Sequence, residues 1–375
     1  MLPDKLPFYF KAHPQKGNGG QPDSLPFYIY YDDELCIYRQ KATEELKKKL
    51  NEVYELGSLV DGSISNESGK VYVELVTDFI LQSMPLKSTI ESLSVLEVGC
   101  GNGIILKQLK RKNSFLKLTG IEPGGHRIVE GIDDAIDIIR GFFPAKQIAD
   151  TKFDLIFSLL VLEHIEDPVV FLQQQKDQLS PNGKLIFGVP NCEPFLKTGD
   201  ISIFIHEHYL YFTQKGIFTL LAKAGLFLER IEVIEGMFLV TSSTQKRSDN
   251  VTHDKTERIS YHDFEQLNDS LNHAIEKLFE KYAQEEVAIY VPGRALNTFF
   301  LLNILKCRLI DDNTEICGKY LPCLHNPIES FSKMIKNPPK CILIYSRTFG
   351  NKIKNKCMQQ PALAGTEILT LNDIA

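Results

Sequence analysis

Apolar residues fall into two kinds of pattern along this chain: short, nearly unbroken runs, and longer stretches with a helical beat. VLEV (95–98), LKLTGIE (116–122), FDLIFSLLVL (153–162) and GKLIFGVP (183–190) are of the first kind. Runs like these suit parallel strands that are buried on both faces. VYVELVTDFILQSM (71–84), IILKQLKRK (104–112) and FTQKGIFTLLAKAGL (212–226) read as helices, the last with Thr213 as N-cap and Gly225 as its stop. FLERIEVIEG and MFLVTSSTQ (227–245) read as a closing strand pair. Strands alternating with helices predict an α/β fold with an open, mostly parallel sheet covered on both faces.

The pattern then restarts. A charged stretch, 246–285, turns helical toward DFEQLNDSLNHAIEKLFEKYAQEE and reads as a connector. Beyond it come strand VAIYVPG (287–293), helix RALNTFFLLNILKC (294–307) and strand GKYLPCL (318–324). Helix ESFSKMIK, strand CILIYS (341–346), helix TFGNKIKNKCMQQ and TEILTL complete a second, smaller Rossmann-like α/β domain. The expected division is an N-terminal segment 1–70, a first domain 71–245, a connector 246–285 and a C-terminal domain 286–375. The N-terminal segment opens Pro- and Gly-rich and ends in the helix-like TEELKKKLNEVYEL.

Composition narrows the class. A length of 375 residues suits two domains. A net charge of −6 argues against a nucleic-acid partner, which calls for a basic face. The start, MLPDKLPFYFK, lacks the basic-then-apolar order of a signal peptide, and LIFSLLVL (155–162) is too short to span a bilayer. The eight cysteines are scattered without a CxxC pair, as expected of reduced thiols in a cytoplasmic protein. No metal site is expected, no membrane partner either, and the oligomeric state stays open.

The chemistry concentrates at VLEVGCGNG (95–103). Glu97 is out of place in a buried strand, and Gly99, Gly101 and Gly103 at alternate positions favour neither strand nor helix. A turn that lets a ligand lie against bare backbone requires such glycines. The third glycine comes one residue too early for the GxGxxG of nicotinamide and flavin sites. Glu122 closes the second strand about 20 residues on, where a ribose diol is held. Any adenosine ligand fits that arrangement; a bare tight turn is the bland alternative.

With FDLIFSLLVLEHIEDP and LSPNGKLIFGVPN downstream, residues 71–245 resemble the class I S-adenosylmethionine-dependent methyltransferases. The resemblance implies that Glu97, Gly99, Cys100, Gly101 and Gly103 line the methionine end of S-adenosylmethionine and that Glu122 takes its ribose hydroxyls. It also implies that Ser158, Leu159 and Leu160 border the cofactor and that Phe142, within GFF (141–143), covers adenine. Glu163 and His164 belong to a block shared whatever the substrate, which implies a structural or cofactor-loop role.

The acceptor is addressed by IFIHEHYLYFT (203–213), where two histidines flank a glutamate. Such groups are costly to bury unpaired, so their clustering suggests a site. A polar loop capping the next helix is the alternative, and an HxH metal pair lacks a third ligand at a supporting spacing. HEHYLYF (206–212) sharpens the resemblance to the sugar C-methyltransferases, which act on keto-deoxy nucleotide sugars. GRALNTFFLLNIL (293–305) and GKYLPCLHNPI (318–328) are similar to segments of that family's C-terminal domain. Three departures stand out: Ile205 replaces the family tyrosine, the N-terminal cysteine module is missing, and Arg294-Ala295-Leu296 replaces Ala-Lys-Gly.

The expected catalytic set is His208 as base, Glu207 or His206 to orient it or steady an enolate, and Tyr211 as a spare donor. Arg294 and Asn297, at the start of a helix, are expected to hold the acceptor's nucleotide. The partner is then a small sugar-type acceptor. O- or N-methylation of a glycan precursor, or a silent cofactor-binding scaffold, are the alternatives.

Overall fold

The apolar runs do become a sheet. In the computed structural model, which describes residues 4–9, 11–55, 67–85, 92–124, 136–246 and 260–374, seven strands pair in one layer. They are β1 (Ser94–Val98), β2 (Lys117–Glu122), β3 (Ile136–Arg140), β4 (Phe153–Leu159), β5 (Leu179–Pro190), β6 (Phe227–Ile234) and β7 (Met237–Ser243). Their order across the sheet is β6-β7-β5-β4-β1-β2-β3. β3, β2, β1, β4 and β5 run parallel; β7 is the one antiparallel strand, and β6, antiparallel to β7, points the same way as the other five. This is the Rossmann-like methyltransferase topology that the sequence led us to expect.

The sheet is buried from both sides, which is why its strands read as continuous apolar runs. Leu96, Val98, Ile156 and Phe187 face one hydrophobic cluster, built largely on α3 (Pro168–Asp177) and α4 (Gln214–Ala224). Val95, Leu155, Phe157 and Ile186 face the other, with α1 (Glu67–Ser83) and α2 (Ile104–Lys112). α4 begins and ends as its sequence demands: the Thr213 hydroxyl accepts from Gly216 N–H, and Gly225 takes the left-handed conformation.

Two readings of this region change. β5 starts at Leu179 rather than 183: the SPNG turn is absorbed into the strand as a register shift against β4, with Asn182 at φ 64°. β3 is a short edge strand that the sequence reading did not name.

By its contacts the chain falls into two units, Tyr30–Asn191 with His208–Thr256, and Met1–Ile29 with Cys192–Glu207 and Glu257–Ala375. The second unit contains its own all-parallel sheet: β8 (Val287–Tyr290), β9 (Arg308–Asp311), β10 (Ile328–Ser330), β11 (Cys341–Ile344) and β12 (Glu367–Thr370). Its order is β10-β9-β8-β11-β12. The expected strand GKYLPCL is a turn-rich segment with a single bridge, Tyr320 to His13, and β9 is the strand instead. The helix before it is shorter than expected: α6 (Pro292–Leu301) ends early and Asn303 turns to φ 53°.

α5 (Tyr261–Lys281), the described half of the expected connector, buries Leu271, Ile275 and Leu278 in the core that includes Val287 and Ile289. The other half, 247–259, lies outside the described residues. No helix among the described residues is long and apolar enough to cross a membrane.

Candidate active site

The glycine turn sits at the carboxyl edge of β1. Gly99 N–H and Cys100 N–H both donate to the Ile121 carbonyl at 2.8 and 3.0 Å, tying the turn to β2. The glycines have different reasons to be there. At Gly99 (φ +77°) a Cβ would come within 2.4 Å of the Val161 Cγ2, so this glycine serves a close approach inside the protein. At Gly101 (φ +52°) a Cβ would meet no protein atom within 4 Å. That leaves open space over the Gly101 backbone. Cys100 contributes backbone, since its thiol is packed in the sheet's core; Gly103 is the left-handed N-cap of α2.

Two acidic side chains flank this turn. Glu122 ends β2, and its carboxylate accepts from Gly101 N–H and Gly124 N–H, both at 2.9 Å. Each oxygen keeps a second lone pair for a ligand hydroxyl. Glu97 is buried in β1, and burial followed by the nearby Glu122 charge pushes its carboxyl well above the ordinary range. Among the described residues its Oε2 has no hydrogen-bond partner, and neither has the buried Ser158 Oγ, which lies opposite Val98 in the β1–β4 pairing.

Leu159 ends β4 and Leu160 turns to φ 54°, its N–H held by the Gly188 carbonyl. Phe142 follows β3 and is 80% exposed, a bare aromatic face available to a flat ring.

The HEHYLYF residues part company. His206 is lodged in the core of the second unit, edge-on to Phe8 and Phe27 with centroids 5.6 and 5.3 Å away, and within 3.2 Å of the Leu25 carbonyl. Burial lowers its pKa to about 4, so the ring is neutral at physiological pH. We had expected it to orient His208; its aromatic seat makes it a core residue instead. Glu207, also buried, falls in that second unit, and His208 and Tyr211 fall in the first.

His208 is half-buried, with its ring centroid 4.9 Å from that of His164 and 6.4 Å from that of Tyr211. Tyr211 is fully buried in the two-residue strand Leu210–Tyr211, which pairs with Ile37–Gln40. One donor atom each from Glu163, His164 and His208 lies within 4.8 Å of the others. The sequence reading gives Glu163 and His164 a structural or cofactor-loop role and leaves them out of the catalytic set. Its one available signal was their place directly after β4, where ligands of parallel sheets bind.

In the second unit Arg294 is exposed in the first turn of α6, 5.8 Å from the Phe195 ring centroid. Asn297 is buried and donates its amide to the Ile201 and Phe204 carbonyls at 2.8 and 2.7 Å. It therefore braces the 201–204 segment rather than presenting that amide to a phosphate.

A family model described as a methyltransferase domain matches residues 66–230, which span β1 to β5 and the glycine turn. Over these residues the chain is similar to methyltransferase domains, and the resemblance of its glycine turn to the class I enzymes implies S-adenosylmethionine as the cofactor. The chain is similar to the ubiquinone biosynthesis O-methyltransferase of Azorhizobium caulinodans, 30% identical over 135 residues, covering 34% of this chain and 51% of that one. The mitochondrial protein of the same description from Schizosaccharomyces pombe is 23% identical over 149 residues, covering 38% and 53%. The chain thus spans about half the length of the curated relatives it matches. A solved S-adenosylmethionine-dependent methyltransferase from Mesorhizobium loti aligns over 44% of this chain and 95% of its own, at 15% identity and a TM-score of 0.37.

The residues of this region fit that cofactor. A buried carboxyl oxygen on Glu97 without a partner among the described residues suits a cationic, amine-bearing ligand, and the turn itself, 97–103, carries no Lys or Arg. Glu122 suits a ribose diol, and the space over Gly101 lets the ligand approach the backbone.

Proposed function

We propose that this protein transfers a methyl group to a small, sugar-derived acceptor, a nucleotide sugar methylated at carbon. S-adenosylmethionine supplies an electrophilic methyl group. Glu97 and Glu122 hold the cofactor's amine and ribose, and Gly101 gives it room. His208 takes the proton that the acceptor must lose, because a neutral imidazole is the side chain best matched to that task near pH 7. The observation that carries this reading is His208 itself: half-buried, its ring beside His164 and a donor atom within 4.8 Å of the Glu163 carboxyl, in the unit that carries the glycine turn. The family resemblance of HEHYLYF and the second parallel sheet support the sugar acceptor. In this reading Arg294, in the first turn of α6, binds the acceptor's nucleotide.

O-methylation is the second reading. The ubiquinone biosynthesis O-methyltransferases favour it, as does Ile205, which removes the phenol that would steady an enolate oxygen. Solvent exchange separates the two. Incubated in deuterium oxide with a 4-keto-6-deoxy nucleotide sugar and no methyl donor, a carbon methyltransferase exchanges the proton next to the ketone. If no exchange occurs above the uncatalysed rate while hydroxyl methylation proceeds with donor present, the carbon reading is wrong.

A further inference from the structure

We propose that Glu163 binds the cofactor: its carboxylate faces the sulfonium of S-adenosylmethionine, so that the site holds the donor more tightly than the product, whose sulfur is neutral. This deepens the cofactor reading above and rests on it.

Three observations carry it. The first is a pair of buried carboxyls at the ends of neighbouring strands in the first unit. Glu97 in β1 is 3% exposed, and Glu163, on the turn after β4, is 1% exposed. The Oε2 of each has no hydrogen-bond partner among the described residues. A buried carboxyl left so costs stability, and a cation entering the site offsets that cost. Burial raises the Glu163 carboxyl to about 8, and burial with the Glu122 charge raises Glu97 well above the ordinary range, as expected where a counter-charge is missing.

The second observation is that the two strand ends touch. A Cβ on Gly99, two residues after Glu97, would stand 2.4 Å from Cγ2 of Val161, two residues before Glu163. Tyr72 of α1 shares both carboxyls as neighbours: after burial, Glu97 and then Glu163 push its phenol up. Its hydroxyl has the Met237 sulfur at 3.9 Å, a weak acceptor. Third, the Glu163 carboxyl lies within 4.8 Å of a donor atom of His208, the residue assigned above to the acceptor's proton.

The charges of the donor follow the same order. Its ammonium stands at the methionine end, assigned to Glu97, and its sulfonium lies between that end and the acceptor. Glu163 borders both neighbourhoods. Transfer breaks the methyl–sulfur bond and leaves the bonding pair on sulfur, while a pair from the acceptor makes the new bond. The sulfonium becomes a neutral thioether, so Glu163 loses its counter-charge and Glu97 keeps its own. Product departure is favoured by that loss alone.

The test is calorimetry of the full chain at one pH with S-adenosylmethionine, S-adenosylhomocysteine and sinefungin, in which a protonated amine replaces the methylsulfonium. All three share the ammonium and the adenosine, and only S-adenosylhomocysteine lacks the second positive charge. The two doubly cationic ligands should bind at least about tenfold more tightly than S-adenosylhomocysteine, because charges paired in a buried site are little screened. In Glu163→Gln, which keeps the shape and cannot ionise, that preference should vanish with S-adenosylhomocysteine affinity unchanged. Glu163→Asp should keep part of it, and Glu97→Gln should weaken all three ligands alike. Melting curves report folding. Equal affinities for donor and product in the wild type would overturn the proposal without any variant. So would a preference that survives in Glu163→Gln, or a loss shared equally by all three ligands there. Failure of the folded wild type to bind any of the three would instead remove the cofactor reading, and this proposal with it.

Discussion

Alanine at Gly99 and alanine at Gly101 should damage different properties of the protein. Both positions have positive φ, so both variants carry a shared backbone strain of about 1–2 kcal/mol. At Gly99 the new methyl also meets Val161 Cγ2 at 2.4 Å, an overpacking cost of about 1–3 kcal/mol more. Gly99→Ala should therefore lose about 2–5 kcal/mol of stability, a large part of the margin of an ordinary domain. At Gly101 the methyl enters empty space, so stability falls only by the strain. The same methyl then stands in the room left for the cofactor, and affinity should drop at least about tenfold, or 1.4 kcal/mol. Urea denaturation and calorimetry with S-adenosylmethionine read the two quantities separately. Equal stability of the two variants, or wild-type affinity in Gly101→Ala, would refute the division of roles.

Three further outcomes are expected. Glu122→Ala removes an acceptor from two backbone amides and from the ribose, so S-adenosylmethionine affinity should fall by about 1–3 kcal/mol in calorimetry. His208→Ala should cost about 100-fold or more in turnover with cofactor affinity nearly intact; full activity would end its role as base. Arg294→Ala should raise KM for a nucleotide sugar about tenfold or more and leave S-adenosylmethionine binding alone, read by steady-state kinetics beside calorimetry.

Much of the first unit was legible because double-sided burial writes itself into sequence. β1, β2 and β4 are unbroken apolar runs, and Thr213 and Gly225 mark both ends of α4. Elements with weaker signatures were not. β3 and β9 are five and four residues long, and β9 follows a helix whose apolar pattern runs on past its actual end at Leu301. GKYLPCL has the apolar content of a strand, but His13, far away in sequence, gives Tyr320 its only bridge.

The places of the glycine turn after β1 and of Glu122 at the end of β2 were readable from the sequence. The fate of His206 was not, because its seat is built by Phe8, Leu25 and Phe27 from a Pro-rich segment without periodicity. Nor was the proximity of His208 to Glu163 and His164, which accompanies the hydrogen bond from Tyr209 N–H to the Glu163 carbonyl across a long stretch of chain. Asn297 looked like a phosphate donor at a helix start; burial and two carbonyl partners turned its amide inward.

The central claim is methyl transfer to a carbon of a sugar-derived acceptor. It is tested most directly by incubating the full chain with S-adenosylmethionine carrying a carbon-13 methyl group and a set of keto-deoxy nucleotide sugars. Carbon NMR of the product then locates the label, and S-adenosylhomocysteine is counted in parallel. The account predicts a carbon-bound methyl next to the sugar ketone, with one S-adenosylhomocysteine per methyl. Label appearing only on oxygen, or no S-adenosylhomocysteine above background with any sugar while phenolic acceptors are methylated, would contradict it.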